Sequence, residues 1–340
     1  MAFNKRIEFG NYTLKFGDEK VLLDLIEEVV VPSFEERRYI RRIKNKGEYF
    51  FLDVELARLQ SPLTDDAFAI VGRIVKNTKV GREQYFEAGG IVADKKELET
   101  APTSIFVLLL DTHRLIFCRQ VSGAPTIQNF ESTSQNFLSQ RHKEFIEERM
   151  AQREMELGEK PPRGTKAALL RNFPAPELRI TPLSDKQSLE EFVKRFKSID
   201  ELTIKLLPTN KEEIDNDDFW ADFGRRKDSM RSTSATVRFV NGSEGLEARE
   251  VFAQTAAATG MGNSSVKMKG HDNQGDSLRG NHEDFSLTVE AEEELPKDVK
   301  QAAQVLYANF ANLAHQGVIA LPAMAIGVLE RVRDYINGRV

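Results

Sequence analysis

The sequence predicts an α+β protein with a β-rich N-terminal domain carrying a long charged helix, then an α/β-plaited second domain and C-terminal helices. Three observations predict it. Apolar residues alternate at period two through much of the first half, the stretch Phe130 to Met155 has helical spacing, and beyond it short strand patterns take turns with short helical ones. A chain of 340 residues is about two domains long, and 40% apolar content supplies two ordinary cores. The boundaries fall at 1–157 for the first domain, 158–176 for a linker, 177–295 for the second domain and 296–340 for a C-terminal helical segment.

In the first domain, Lys5 to Phe16 alternates as a strand does. Glu19 to Val31 places Val21, Leu22, Leu25, Ile26 and Val29 at helical spacing, and Pro32 is expected to end that helix. Tyr49 to Leu59, Phe68 to Lys76, Tyr85 to Val92 and Ile105 to Gln120 are β-rich, broken by Gly and Asp turns, and predict a mostly antiparallel sheet. The helix Phe130 to Met155 is polar on most sides, which predicts that it spans solvent or supports a partner. Gly158 to Pro176 contains Pro161, Pro162, Gly164, Pro174 and Pro176 with Lys160, Arg163, Lys166 and Arg171 between them, a linker composition.

The second domain then reads as strand Leu178 to Leu183, helix Leu189 to Phe196, strand Leu202 to Leu207, helix Asp217 to Met230, strand Ala235 to Val240 and helix Gly245 to Thr259. Strands Ser264 to Lys269 and Phe285 to Val289 follow, giving a sheet with helices on one side. Ser188 with Glu191 predicts a capping box, and Asn216 followed by two aspartates predicts a helix start. Helices Lys297 to His315 and Leu321 to Ile336 close the chain.

Several function classes find no support in these residues. The five histidines are scattered without the companions a zinc site needs, so neither a metal nor a cofactor is expected. Gly260 and Gly262 follow a helix, whereas a phosphate loop follows a strand, and no Gly-x-x-x-x-Gly-Lys or serine nucleophile elbow is present. Cys118 sits in an apolar run and reads as a core thiol of a reduced, cytoplasmic protein. Met1 to Arg6 runs straight into strand-like sequence, so no leader is expected, and no apolar stretch is long enough for a membrane span. The group Asp272, Asp276, His282 and Glu283 keeps a metal-dependent nuclease open as an alternative, although Gly with Asn or Asp between short strands is also turn chemistry.

What remains is electrostatic. The formal charge is −5, yet Arg37, Arg38, Arg41, Arg42, Lys44 and Lys46 fall within ten positions with no acid among them. At 100° per residue the four arginines share one helical face, which suits a polyanion. Arg225, Arg226 and Lys227 end a helix, where the dipole alone can account for them, and Lys267 and Lys269 alternate on one strand face. Few aromatics interleave with these cations, so contact with the backbone of double-stranded DNA is favoured over base stacking, with weak sequence preference. Leu306, Phe310 and Leu313 form an apolar stripe on the penultimate helix and predict a homodimer interface. The alternative to nucleic-acid binding is a structural interaction protein whose cations are solvated surface.

The stretch Ala101 to Leu138, with Pro102, Ser104, Phe106, the turn Asp111 to Arg114, then Gly123, Pro125, Thr126 and Gln135 to Leu138, resembles the middle of the RexA-like phage-exclusion proteins. Arg179 to Leu183, Leu202 to Leu207, Val266 to Leu287 and the helix from Lys297 are similar in order and placement. The resemblance implies a dimeric, two-domain, DNA-binding sensor that works with a membrane-protein partner to abort phage infection. The basic run at Arg37 has no clear counterpart in that family, and the segment Lys143 to Pro176 is longer here.

Overall fold

The first strand, β1 (Arg6–Phe16), lies inside the larger of two sheets in the computed structural model, which describes residues 3–87, 89–207, 218–291, 294–322 and 327–337. After β2 (Lys20–Val21), the helix expected over Glu19 to Val31 is broken into a 3-10 turn (Leu22–Leu25), a π turn (Ile26–Val30) and α1 (Val31–Ser33). Pro32 does not end this segment but sits in the first turn of α1, where its missing N–H is no loss. The basic run that follows is not a helix. Arg37 adopts φ 52°, and Arg41–Ile43 is β3, an edge strand hydrogen-bonded to β4 (Gly47–Leu59), so the four arginines share no helical face.

The segment Tyr85 to Val92, expected as one strand, instead contains a hairpin end. β5 (Ala67–Glu87) pairs with β6 (Gly90–Thr100) from Thr78↔Thr100 to Glu87↔Gly90, and Gly89 supplies φ +82° between them. β6 pairs with no other described strand, so the ribbon extends about 30 Å beyond the sheet. β7 (Thr103–Leu109) and β8 (Arg114–Arg119) return alongside β5 and β1. Every pairing among the described strands is antiparallel, as expected.

Both faces of this sheet are covered. α2 (Ile127–Leu157), capped by Thr126 and stopped by Gly158 at φ +71°, lays Phe130, Phe137, Leu138, Phe145 and Ile146 across one face. Phe106 and Phe130 lie 4.8 Å apart and Phe34 stacks on Phe51 at 5.0 Å. The expected solvent-spanning helix is thus a core element for most of its length. Its apolar stripe is narrow, set at i, i+7, i+8 among charges, and becomes exposed only beyond Ile146.

The opposite face takes α7 (Val299–His315), which places Ala303, Leu306, Tyr307 and Phe310 against Phe9, Ala69, Val107 and Ile116. This corrects the assignment of Leu306, Phe310 and Leu313 to a dimer interface. Leu306 is fully buried, Phe310 lies 6.2 Å from Phe9, and Leu313 packs against the same cluster, so the stripe fills the chain's own core.

The stretch 158–176 is more than a linker. It contains α3 (Thr165–Asn172), and β9 (Pro176–Pro182) pairs with β1 from Phe16↔Pro176 to Gly10↔Pro182. The strand expected to open the second domain therefore belongs to the first sheet, with prolines at its ends, where an edge strand tolerates them.

After β9 come α4 (Lys186–Lys194), β10 (Phe196–Leu206), α5 (Asp218–Ser229), β11 (Ala235–Val240), α6 (Ala248–Thr259), β12 (Ser264–Asp272) and β13 (Ser277–Asn281). The four strands form a separate sheet in the order β11-β10-β12-β13. Leu189, Phe192, Trp220, Val251 and Ala258 of the helices pack on Leu202, Ile204, Val266 and Met268, all on one face, which is the single-sided layer the alternation predicted. The cap of α4 is Asp185, whose carboxylate accepts from the Gln187 and Ser188 backbone N–H groups, and not Ser188. The helix start expected at Asn216 lies outside the described residues.

The last expected strand is displaced: His282–Phe285 forms a 3-10 turn, and β14 (Thr288–Glu290) joins β1 in the larger sheet. α8 (Val328–Asn337) follows, later than the expected start at Leu321, with residues 323–326 outside the description. The two sheets meet through buried polar contacts. The fully buried Arg114 donates to the carbonyls of Met261 at 3.1 Å and Ala320 at 3.2 Å, and Asn11 donates to the carbonyl of Gly262 at 3.3 Å. Gly262 has φ +67°, and a Cβ there would lie 2.9 Å from Leu183 and 3.0 Å from Asn11, so the close approach requires glycine.

Candidate nucleic-acid interface

The basic run of 37–46 is divided by the fold. Arg38 bonds Glu35 at 2.7 Å and Glu144 at 2.9 Å, and Arg41 donates to Ser132 and Thr133, so both fasten β3 and its approach to α2. Arg42 pairs with Glu48 at 2.8 Å, and the Arg37 guanidinium lies over the Phe50 ring at 5.7 Å. Lys44 and Lys46, on the exposed β3–β4 turn, have no partner among the described residues.

The second cluster is likewise absorbed. Arg225 and Arg226 reach Asp222 at 3.4 and 2.6 Å, both one turn back on α5. Lys227 is buried, donates to the Leu207 carbonyl at 3.2 Å and pairs with Asp228 at 3.1 Å. It cannot meet an external polyanion, which corrects its placement at a DNA-binding surface. The helix dipole, the acids Asp222 and Asp228 and the Leu207 carbonyl together give these cations a structural explanation.

The nuclease candidates do not converge. Asp272 Oδ1 accepts from the backbone N–H groups of Gln274 and Asp276 at 2.8 and 3.0 Å, closing the β12–β13 hairpin turn. His282 is buried 3.1 Å from Ser184, and burial pushes its pKa down to about 4. Among the described residues, no three His, Cys, Asp or Glu side chains form a metal-holding group. Cys118 is buried and its thiol is pushed up to about 11 by desolvation, the opposite of an activated nucleophile.

The open face of the small sheet gathers what neither cluster does. Inward residues alternate with outward ones, and the register places Thr203 between Arg238 and Lys267, Glu201 between Val240 and Lys269, and Lys205 opposite Thr236. On β13, Arg279 stands opposite Lys269 and Asn281 opposite Lys267. Five cations, Lys205, Arg238, Lys267, Lys269 and Arg279, thus share a face with Glu201 and, at one end, with Asp200, which lies 3.0 Å from His271. Glu201 bonds Arg238 at 2.6 Å and Lys269 at 3.2 Å, and the Arg238 hydrogen bond, followed by Lys269, holds its pKa down to about 2. Lys205, Lys267 and Arg279 have no ion pair among the described residues. Of these cations the sequence singled out Lys267 and Lys269. Arg238 carried a period-two signal within a strand read with its bounds intact, Lys205 within one whose start was read six residues late, and Arg279 lies on a strand that was not read.

Lys269 directly opposite Arg279 is unfavourable in isolation, since facing like charges cost on the order of 0.2–1 kcal/mol. The outward rows contain no Phe, Tyr or Trp, so nothing offers a stacking platform for unpaired bases. Three strand spacings make the face roughly 14 Å across, wider than the ~12 Å major groove. A duplex laid on such a face would present ridges of phosphates to it and not base edges.

A family described as a domain of unknown function, DUF4747, matches residues 165–303. The matched segment runs from α3 into α7 and holds the whole small sheet, while the Arg37 run lies outside it. No curated protein matches the chain. No described helix is long and apolar enough to cross a membrane.

Proposed function

We propose that this chain binds the phosphate backbone of duplex DNA with little sequence preference, using the open face of its small sheet, and that it does so in phage exclusion, signalling to a partner. The observation that carries the reading is the like-charged pair Lys269 and Arg279 beside the unpaired Lys267 and Lys205 on an aromatic-free face. Glu201 holds Lys269, but Arg279 opposite it and Lys267 beside it have no ion pair among the described residues, an arrangement that suits a polyanion. Lys44, Lys46, Arg37 and Arg42 supply a second basic patch. The link to phage exclusion is supported by the RexA-like pattern alone. A signalling partner would find apolar contact area on the β5–β6 ribbon, where Val80, Ile91 and Leu98 are more than half exposed.

Fluorescence anisotropy of a labelled duplex across a salt series tests this function. Each neutralised phosphate contributes a log–log slope of about −0.9, so the variant Lys267→Ala with Arg279→Ala is expected to flatten the slope by roughly two such units. Unrelated duplexes should bind alike, and Mg²⁺ should produce no cleavage. An unchanged slope in the folded variant would remove the sheet face from the account, and nicking abolished by Asp272→Ala would favour the nuclease alternative.

A further inference from the structure

A second basic feature lies where the two sheets meet. β1 and β9 present Thr13, Lys15, Glu177 and Arg179 on one face, with Lys15↔Glu177 and Thr13↔Arg179 in register. Facing them are Lys205, near the end of β10, and Thr233 and Ser234, which lead into β11. Together they enclose a cleft of about 310 Å³. Thr13 and Leu207, both 3% exposed, form its floor.

The chemistry of the lining is one-sided. The single carboxylate among the lining residues, Glu177, stands cross-strand from Lys15; Lys205 has no ion pair among the described residues, and Arg179 has only Glu131, which lies outside the lining, within electrostatic reach. The Thr233 and Ser234 side chains make no hydrogen bond to any described residue, so two hydroxyl donors and two cations face the same space. A planar guanidinium that can bond two oxygens at once, a point-charge ammonium and hydroxyls are the groups that recognise phosphate oxygens. The volume lies at the small end of ligand sites, and a duplex cannot enter it.

We propose that this inter-sheet cleft binds a small phosphorylated compound carrying one or two phosphate groups, with Arg179 and Lys205 as its charge partners and Thr233 and Ser234 as hydroxyl donors. Its walls come from both sheets. An occupant therefore bridges the large sheet to β10, whose outward residues Glu201 and Thr203 are on the basic face, and gives that face a route by which a small molecule could adjust it. The site does not rest on the DNA-binding reading.

Calorimetric titration of the full chain with sodium pyrophosphate, at ionic strength held constant with sodium chloride, tests the proposal without any nucleic acid present. The expected result is saturable one-to-one binding below millimolar concentration, weakened at least tenfold in Arg179→Gln and again in Lys205→Gln. Arg179 is solvent-exposed, so its variant keeps its fold even if Lys205→Gln does not. Lys267→Gln, on the open face but outside the cleft, should bind as the parent does. Absence of saturable binding at 10 mM pyrophosphate would overturn the site. So would equal weakening by Lys267→Gln, which would mean a diffuse field, or one-for-one displacement by a 5′-hydroxyl duplex, which would make the cleft part of the DNA surface. The salt slope of the Lys267 and Arg279 variant reports separately on DNA binding.

Discussion

The large sheet is covered on both faces and the small one on a single face, and this difference sorts structural residues from available ones. In β7 and β8 the run Ile105 to Leu109 and Leu115 to Cys118 is buried without interruption, because α2 closes one side and α7 the other. In β12 buried and exposed residues alternate from Ser264 to His271. Every cation of the first basic run that reaches α2 is drawn into tethering it, as Arg38 and Arg41 are. On the small sheet no described helix packs on the outward face, so Lys267 and Arg279 are left to solvent. Charge is available where a layer is missing.

The largest effect that would test this contrast comes from Leu306→Asp. With α7 as the second cover of the large sheet, an unpaired carboxylate at a fully buried site should abolish folding, seen as loss of the cooperative thermal transition. A folded monomer with unchanged circular dichroism would instead restore α7 as a dimer surface. Next, Phe106→Ala removes the ring that meets Phe34, Phe51 and Phe130, and should cost about 3–5 kcal/mol in denaturant unfolding.

Acid should act at a smaller scale. His113 and His282 are both pushed down to about 4, chiefly by burial, so below their ordinary value near 6.5 the unfolded chain binds protons that the folded chain does not. Their stabilising contribution is full above pH 6.5 and declines by about 1.4 kcal/mol per pH unit per histidine as pH falls from there toward 4. Half-buried Glu8, Asp111 and Glu131, whose values are raised chiefly by desolvation, act in the opposite direction. His282→Gln should flatten the decline measured between pH 6.5 and 4.5, and an unaltered slope would exclude that residue as a contributor.

The smallest expected effect is on the bare face. Lys267→Ala with Arg279→Ala should shift stability by less than about 0.5 kcal/mol, because surface side chains without a partner seldom matter to folding and the opposed Lys269 is relieved. A loss of several kcal/mol would show that the face is structural after all and would weaken the case for a polyanion partner.

How far the sequence was legible follows the same division. β11 was read with its bounds intact, and β12 from its true start, because a one-sided strand writes its inner and outer faces into alternate letters. The stripe of Leu306 and Phe310 was read correctly as apolar, but periodicity names a buried face without naming what buries it. The strand Leu178 to Leu183 was placed in the wrong sheet for a related reason: pairing with β1 depends on a partner more than 160 positions away, which no local pattern encodes. The basic run misled because charge density carries no information about neighbours. Glu144 and Ser132, which claim two of the arginines, are about a hundred positions distant. The open face was partly visible, since each of its cations alternates with an apolar residue, but its assembly needed the register of four strands.

The position of β1 sets a clock for making the protein. Its residues 6–16 bond to strands drawn from 114–119, 176–182 and 288–290, so β1 finds its last neighbour only after about 270 further residues have been synthesised. Until then one edge of an aromatic-rich strand is uncovered, and closing loops of that length slows folding. The large sheet therefore stays incomplete until 288–290 has been made, and the growing chain passes through a stage in which Phe9, Tyr12 and Phe16 lack part of their cover and are open to chaperones.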